Sequence, residues 1–385
     1  MEFNPHTALE YARAIARPRL VGSGEDERVA QEIVAKLESF GYRVEREPFQ
    51  FTRAFDLALA AEIGAGLALV LSGTVLPSMR VPVALLLAAL LVTIPFLNHF
   101  VHQNSIGPLG ERKPTIALGR RYQTTNIVAR PPQPQTANNP HLYLVAHYDS
   151  KSQRLPIAVR MTLAVLFVLS AIVFACAAFL NALASDLLVS AIGIVALACG
   201  LPLLLLNVAN DSPGAIDNAS GAGLVLHLAE CLMAWPRLLD QIQLTILMTG
   251  AEEMAIMGSM YHVKRNAGAL GESAVAGGLY VINFDGVGVD GRLYFGAGAN
   301  DPLAELAREA AQQLRIPLGR FYVAGALFDH LPFAEAGLPA ISLVTVGRDS
   351  WAVHTRHDTP DKLHPRGFEM AGKVALRAIE SLASK

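Results

Sequence analysis

The sequence predicts an α/β domain, a layered mixed and largely parallel sheet with flanking helices, into which two transmembrane α-helical hairpins are inserted. Three observations predict it. The 385 residues are 52% hydrophobic and only 17% charged, with a mean hydropathy of +0.36, whereas a soluble domain carries roughly 25% charged residues. The apolar excess is gathered in four blocks of membrane-crossing length. Outside those blocks, short apolar runs alternate with helix-patterned segments, the order that builds a parallel sheet covered by helices. The hydrophobicity excludes disorder. The net charge of −2 offers no basic surface for a nucleic-acid partner.

The blocks are Leu57–Leu76, Val81–Phe100, Met161–Leu180 and Leu187–Leu206. Each has about the 20 residues that a helix needs to cross a hydrocarbon core. Among their 80 positions only Glu62 is charged. The other 305 residues are about 21% charged, close to the soluble norm. Short turns, Pro77–Arg80 and Asn181–Asp186, join the blocks in pairs, so each hairpin returns the chain to the side it left. The expected order is a first segment of the α/β domain at 1–56, a transmembrane hairpin at 57–100, a second α/β segment at 101–156, a second hairpin at 157–209 and a last α/β segment at 210–385. Glu62, five residues into its block, is expected near the membrane interface. Arg53, Arg112, Lys113, Arg120, Arg121, Lys151, Arg154 and Arg160 flank the large-domain side, while the hairpin tips offer only Arg80. That bias, with no cleavable leader expected over the mixed first 20 residues, favours a multi-pass membrane protein whose large domain faces the cytoplasm.

In chain order, Thr7–Ala16 and Glu27–Phe40 have helical spacing, the second stopping at Gly41. Tyr42–Phe49 alternates as a strand. Asn126–Ala129, His141–Ala146, Gln243–Met248, Leu279–Asn283, Leu293–Phe295 and Ala340–Val344 are short apolar runs typical of buried strands. Gly221–Ala234, Ser259–Asn266, Pro302–Arg315 and Gly367–Ala383 read as helices. Arg130–Pro140 reads as a surface loop, and no internal repeat is present. Cys176 and Cys199 fall within apolar blocks, leaving Cys231 alone in the polar remainder; no disulfide framework or CxxC metal motif follows.

Ligands and catalytic groups in α/β sheets gather where strands end. HLYLVA runs into His147-Tyr148-Asp149-Ser150, QLTILMTG into Ala251-Glu252-Glu253, and LYVIN through Phe284 into Asp285-Gly286. AISLV leads towards Val353-His354-Thr355-Arg356-His357-Asp358, and Pro213–Gly221, with Asp217, opens a helix. Histidines and carboxylates at these termini form a ligand set suited to zinc. Consecutive side chains on an extended segment point opposite ways, so Glu252 and Glu253 are expected to face different partners. An isolated acidic pair is usually a solvated surface feature, but this one follows an apolar strand.

HYDS, DNASG, GAEE followed by GS, NFDGVG and HTRHDTPD, in this order, resemble the di-zinc aminopeptidase family that also contains the glutaminyl cyclases, metallopeptidase family twenty-eight. RLVGSGEDERVAQEIVAKLESFGYRVEREPF resembles its leading helix and first strand. The resemblance implies a zinc aminopeptidase-like fold holding two zinc ions. It implies His147 and Asp285 on one zinc, Glu253 and His354 on the other, and Asp217 bridging both. Asp149 is expected to accept the second ring N–H of His147, and Glu252 to act as general base. Family pattern prefers His354 as ligand over His357, which joins Asp329 and His330 of FDHLPF as pocket candidates. His227, His262 and Cys231 read as structural, and the Asn218-Ala219-Ser220 glycosylation pattern as coincidence. Val353 stands where some relatives carry a tyrosine that steadies the oxyanion.

The second hairpin separates His147 from Asp217 by 69 residues, where the family has a short loop. The active site is therefore expected near the membrane surface. The implied function is a membrane-anchored aminopeptidase acting on peptides, its partners being peptide substrate and lipid bilayer. HYDSK and DHLPF lean instead towards a glutaminyl-cyclase-like acyltransferase with one zinc. A catalytically inactive receptor or assembly protein of the same fold is the third reading, weakened by the intact ligand set.

Overall fold

A computed structural model describes residues 3–110, 114–133, 136–180, 185–205, 208–298, 301–322 and 326–384. Arg112 and Lys113 of the basic flank, positions 181–184 of the second hairpin turn, and Leu206 lie outside the described residues. The strands are β1 (Arg43–Thr52), β2 (Ile106–Pro108), β3 (Arg121–Arg130), β4 (His141–His147), β5 (Ser152–Gln153), β6 (Val208–Ala209), β7 (Gln243–Thr249), β8 (Leu279–Phe284), β9 (Gly291–Ala297), β10 (Leu318–Arg320) and β11 (Ala340–Gly347). The helices are α1 (Pro5–Ile15), α2 (Glu25–Ser39), α3 (Ala54–Val75), α4 (Arg80–Asn104), α5 (Ile157–Phe179), α6 (Asp186–Gly200), α7 (Ser220–Met233), α8 (Pro236–Leu239), α9 (Met257–Arg265), α10 (Ala267–Ala276), α11 (Pro302–Gln313), α12 (Leu331–Glu335) and α13 (Pro365–Ala383). The chain forms two compact units. One comprises Met1–Gln50, Tyr122–Ser152 and Ala209–Lys385, the other Phe51–Arg121 and Gln153–Val208.

In the first unit the strands lie in the order β10-β9-β11-β8-β4-β7-β3-β1. The central pairs β4–β7, β4–β8 and β8–β11 are parallel. The β11–β9 and β3–β7 pairs are antiparallel. Strand β4 is buried along its whole length, as a sheet covered on both faces requires. Its side chains divide with period two. Leu142, Leu144 and Ala146 join Leu244, Ile246 and Met248 of β7 in a core with α1, α7 and α13. Tyr143 and Val145 join Leu247, Leu270 of α10 and Phe333 of α12 in a core on the opposite face. Each fully buried Leu, Ile, Val, Met or Phe among them contributes about 1.5–3 kcal/mol. The register pairs His147 with Thr249 and Val145 with Asn283. The carboxyl ends of β4, β7 and β8 therefore lie side by side, and their following residues converge.

The second unit contains α3–α6, which lie in four helical segments long and apolar enough to cross a membrane, Ala54–Val75, Pro77–Asn104, Ile157–Phe179 and Asp186–Leu205. Leu67, Val70, Val83, Leu87, Phe167, Phe174 and Val189 form its core. Its surface is apolar: Phe96 is 75% and Leu187 82% exposed. Gly193 permits close approach of α6 to α3, since a Cβ there would collide with Thr74 Oγ1. Small residues at such crossings are characteristic of helix packing in lipid. The last apolar block does not remain α-helical. It tightens into a 3₁₀ turn at Leu201–Leu205, where Pro202 removes an amide donor and crowds the preceding turn. Glu62 lies eight residues inside α3 rather than near its start. It is buried and accepts a 3.0 Å hydrogen bond from Asn98 Nδ2 on α4.

Candidate metal centre

Five chain segments meet at the carboxyl edge of the sheet. His147 ends β4, fully buried, with Nε2 3.1 Å from Asp217 Oδ1, 3.7 Å from Glu252 Oε2 and 3.7 Å from Asp285 Oδ1. The other carboxylate oxygen of Asp217 lies 3.1 Å from His354 Nε2, which is 3.0 Å from Glu253 Oε2. Two donor groups result, His147/Glu252/Asp285 and Asp217/Glu253/His354, each with ligand atoms within 4.8 Å of one another. Asp217 presents one oxygen to each histidine. His147 Nε2 is buried among three carboxylates and has no hydrogen-bond partner among the described residues. An orphaned imidazole nitrogen facing clustered hard oxygens is the donor arrangement of a divalent-metal site, so the residues fit metal binding.

The backbone fixes these groups. Gly214, with φ 57°, precedes the Asp217 turn, and a Cβ there would lie 2.5 Å from Ser150 Cβ. His147 Nδ1 is 3.2 Å from the Asp149 carbonyl oxygen and 3.4 Å from Asp149 Oδ1. Donation from Nδ1 leaves the Nε2 lone pair directed at the cluster. The carboxylate of Asp149 also accepts the backbone N–H groups of Glu252 and Glu253, at 3.1 and 3.2 Å. The expected extended geometry of the glutamate pair is not what separates the two side chains. They occupy a turn, bounded by left-handed Ala251 (φ 61°), Ala255 (φ 73°) and Ile256 (φ 50°), and it sends Glu252 to one group and Glu253 to the other. His354 itself has φ 62°. Left-handed non-glycine residues persist only where surrounding contacts over-determine them.

Three contributors were not read from sequence. Asp358 is buried and accepts from the amides of Ile216, at 2.6 Å, and Asp217, at 3.2 Å, tying the His354 loop to the Asp217 turn. Burial pushes Asp358 up to about 7. Arg19, fully buried, donates to the carbonyls of Tyr148, Pro213 and Gly214, joining the His147 and Asp217 loops. Burial lowers its pKa to about 10. Lys151 places Nζ 3.0 Å from Glu253 Oε2 and 3.0 Å from the Glu253 carbonyl. The DTPD and HYDSK motifs carried Asp358 and Lys151; no pattern around Arg19 marks a residue that acts on carbonyls far along the chain.

The electrostatics differ within the cluster. Burial raises Glu252 well above the usual carboxylate range against the pull of His147, with Asp285 and Glu253 adding to the rise. Burial likewise lifts Asp285 to about 6. Burial alone would raise Asp217 too, but the imidazoles of His147 and His354 beside it hold it well below its ordinary value.

The remaining candidates divide. His357 is exposed, and its amide bonds Thr355 Oγ1; His354 is the buried histidine of that loop. Asp329 is buried and accepts from Thr249 Oγ1. His330 Nδ1 lies 2.7 Å from Ser342 Oγ. Asn218 is fully buried, with its amide bonded to Phe284 O, Gly221 N and Gly286 N, which leaves no accessible glycosylation acceptor. His227 pairs with Glu230 and His262 with Glu47, away from the cluster.

A profile described as "Peptidase family M28" matches residues 126–379. Aminopeptidase YwaD of Bacillus subtilis is 26% identical over 185 residues, 45% of this chain and 39% of its own length. The chain thus spans about two fifths of the length of that curated relative. Among solved structures, BSAP, a zinc aminopeptidase from Bacillus subtilis, aligns with a TM-score of 0.59 at 14% identity, covering 99% of this chain and 95% of that one. The glutaminyl cyclase of Porphyromonas gingivalis aligns with a TM-score of 0.54 at 16% identity, covering 98% of each chain. At these identities the structural likenesses establish the fold.

Proposed function

The chain belongs to peptidase family M28, and from that premise we propose that it is a membrane-embedded zinc aminopeptidase cleaving the first peptide bond of substrates with a free N-terminus. The observation that carries the reading is Asp217, whose two oxygens face His147 and His354 in two separate donor groups. His147 and Asp285 would hold one zinc, Glu253 and His354 the other, with Asp217 shared. Bound zinc supplies polarisation of the scissile carbonyl and acidification of the attacking water.

Glu252 moves the proton. Its raised affinity for a proton suits a group that accepts one from water and delivers it to the leaving amine. Asp149 keeps the acidic turn in register through the two glutamate amides and supports the His147 tautomer. The four apolar helices anchor the chain in a bilayer, with the catalytic segments 1–56, 101–156 and 210–385 forming one domain on the cytoplasmic side.

The test is Glu252→Gln, assayed on aminoacyl reporters alongside zinc content. The rate should fall by about 10²–10⁴-fold with zinc retained; an unchanged rate would show that the assigned base is wrong. The fold likeness to glutaminyl cyclases keeps one alternative in view. Release of ammonia and pyroglutamyl product from N-terminal glutamine peptides, without hydrolysis of other N-termini, would favour that acyl transfer.

A further inference from the structure

The two donor groups are not electrically equivalent. His147, Glu252 and Asp285 make no ion pair with a lysine or arginine among the described residues. The other group does contain a resident cation. Lys151 Nζ stands 3.0 Å from Glu253 Oε2, the oxygen that also lies 3.0 Å from His354 Nε2. The same ammonium donates to the Glu253 carbonyl at 3.0 Å, and the Lys151 amide donates to Glu253 Oε1 at 3.3 Å. Lysine backbone and side chain thus both engage one glutamate, and the ammonium occupies the ligand-facing oxygen.

We propose that Lys151 is a tuning residue for the second metal group: its ammonium competes with a metal ion for Glu253 Oε2 and weakens zinc binding by Asp217, Glu253 and His354. A cation entering this group must displace the ammonium from Oε2 or endure its repulsion, and both reduce affinity. The His147 group lacks this competitor among the described residues. The chain would therefore hold its two metals by unequal means, one through an uncontested donor set and one through a contested set whose ion exchanges more readily. The inference rests on the two-metal reading.

The experiment uses the full chain in detergent, stripped with chelator and titrated with zinc by calorimetry. Wild type, Lys151→Met and Lys151→Arg are compared, each with and without His354→Ala. Lys151→Met should tighten one zinc by about ten-fold or more. That gain should disappear in the His354→Ala background, and Lys151→Arg, which keeps the charge, should resemble wild type. Unchanged or weaker zinc binding in Lys151→Met would overturn the proposal, as would tightening that survives loss of His354. Should Lys151→Met shift the thermal unfolding curve, Lys151→Gln replaces it under the same criteria. A wild-type chain that binds no zinc defeats the two-metal reading itself, an outcome distinct from zinc bound without sensitivity to Lys151.

Discussion

In the first unit apolar side chains fill two cores, and polar residues gather into one connected cluster at the carboxyl edge of the sheet. In the second unit apolar side chains cover the outside of α3–α6, and buried polar groups tie one helix to the next. Arg80 with Asp186 and Glu62 with Asn98 each join two helices. Buried polarity therefore has two uses in this chain. Where it converges on shared atoms, as at Asp217, it gathers the donor groups of a candidate metal site; where it bridges two helices, it pins one to the other. A carboxylate's burial alone does not distinguish these uses, since Asp285 and Glu62 are both buried.

The hardest test of that distinction is Asp217→Asn. Loss of one shared carboxylate should affect both donor groups, reducing bound zinc below one ion per chain and activity by about 10³-fold or more. Metal analysis and reporter hydrolysis measure this. Retention of two zincs would show that the groups are independent and that Asp217 is not shared.

Arginine offers a second comparison, because Arg19 and Arg80 are both almost completely buried. Arg19 holds three backbone carbonyls from two loops of the first unit. Arg19→Met leaves those carbonyls without their donor and should cost about 3–5 kcal/mol. Arg80 faces Asp186, whose side chain is 79% exposed and readily solvated when unpaired, and its contacts to the Gly73 and Asp186 carbonyls are long, at 3.4 and 3.5 Å. Arg80→Met should cost about 1 kcal/mol. Denaturation of both variants in one detergent tests the order, and equal losses would remove the distinction between a clamp and a pin.

Much of this division is legible in the sequence because of abrupt changes in character. The β4 run HLYLVA stops at His147, and LYVINF stops at Asp285, so strand ends carrying the clustered polar residues stand out. The four apolar blocks stand out for the same reason, with Glu62 their single charge. Other features lack a local signature. AGALGESAVA forms α10 although small residues leave its periodicity faint, and LPFAE of α12 is too short to show one. The antiparallel pairings of β3 and β11 depend on tertiary contacts rather than on strand composition. Arg19 and Asp358 act through backbone groups far away in sequence, a role that composition cannot carry. The glutamate turn depends on left-handed residues Ala251, Ala255 and Ile256, none of which favours that conformation intrinsically.

A pH-dependent effect separates core polarity from site polarity within the first unit. His141 begins β4, buried, with Nε2 2.9 Å from Thr245 Oγ1 and Nδ1 3.2 Å from Ser273 Oγ. Burial, with the Arg130 charge adding, pushes its pKa down to about 4, against about 6.5 in the unfolded chain. The unfolded state therefore takes up a proton as pH falls through 6.5, while the folded state resists until about 4. Between those values the unfolded chain binds more protons, so stability is lost on acidification, by about 3 kcal/mol at most from this residue. His141→Gln keeps a donor and an acceptor but cannot titrate, and its stability should fall less steeply between pH 6.5 and 4. Denaturant midpoints for zinc-stripped chains across that range isolate the contribution of His141, because competition between protons and metal no longer contributes. Parallel profiles for wild type and variant would mean that His141 takes up its proton at the same pH in the folded and unfolded chain, and the contrast between a neutral core histidine and the clustered histidines would fail at this position.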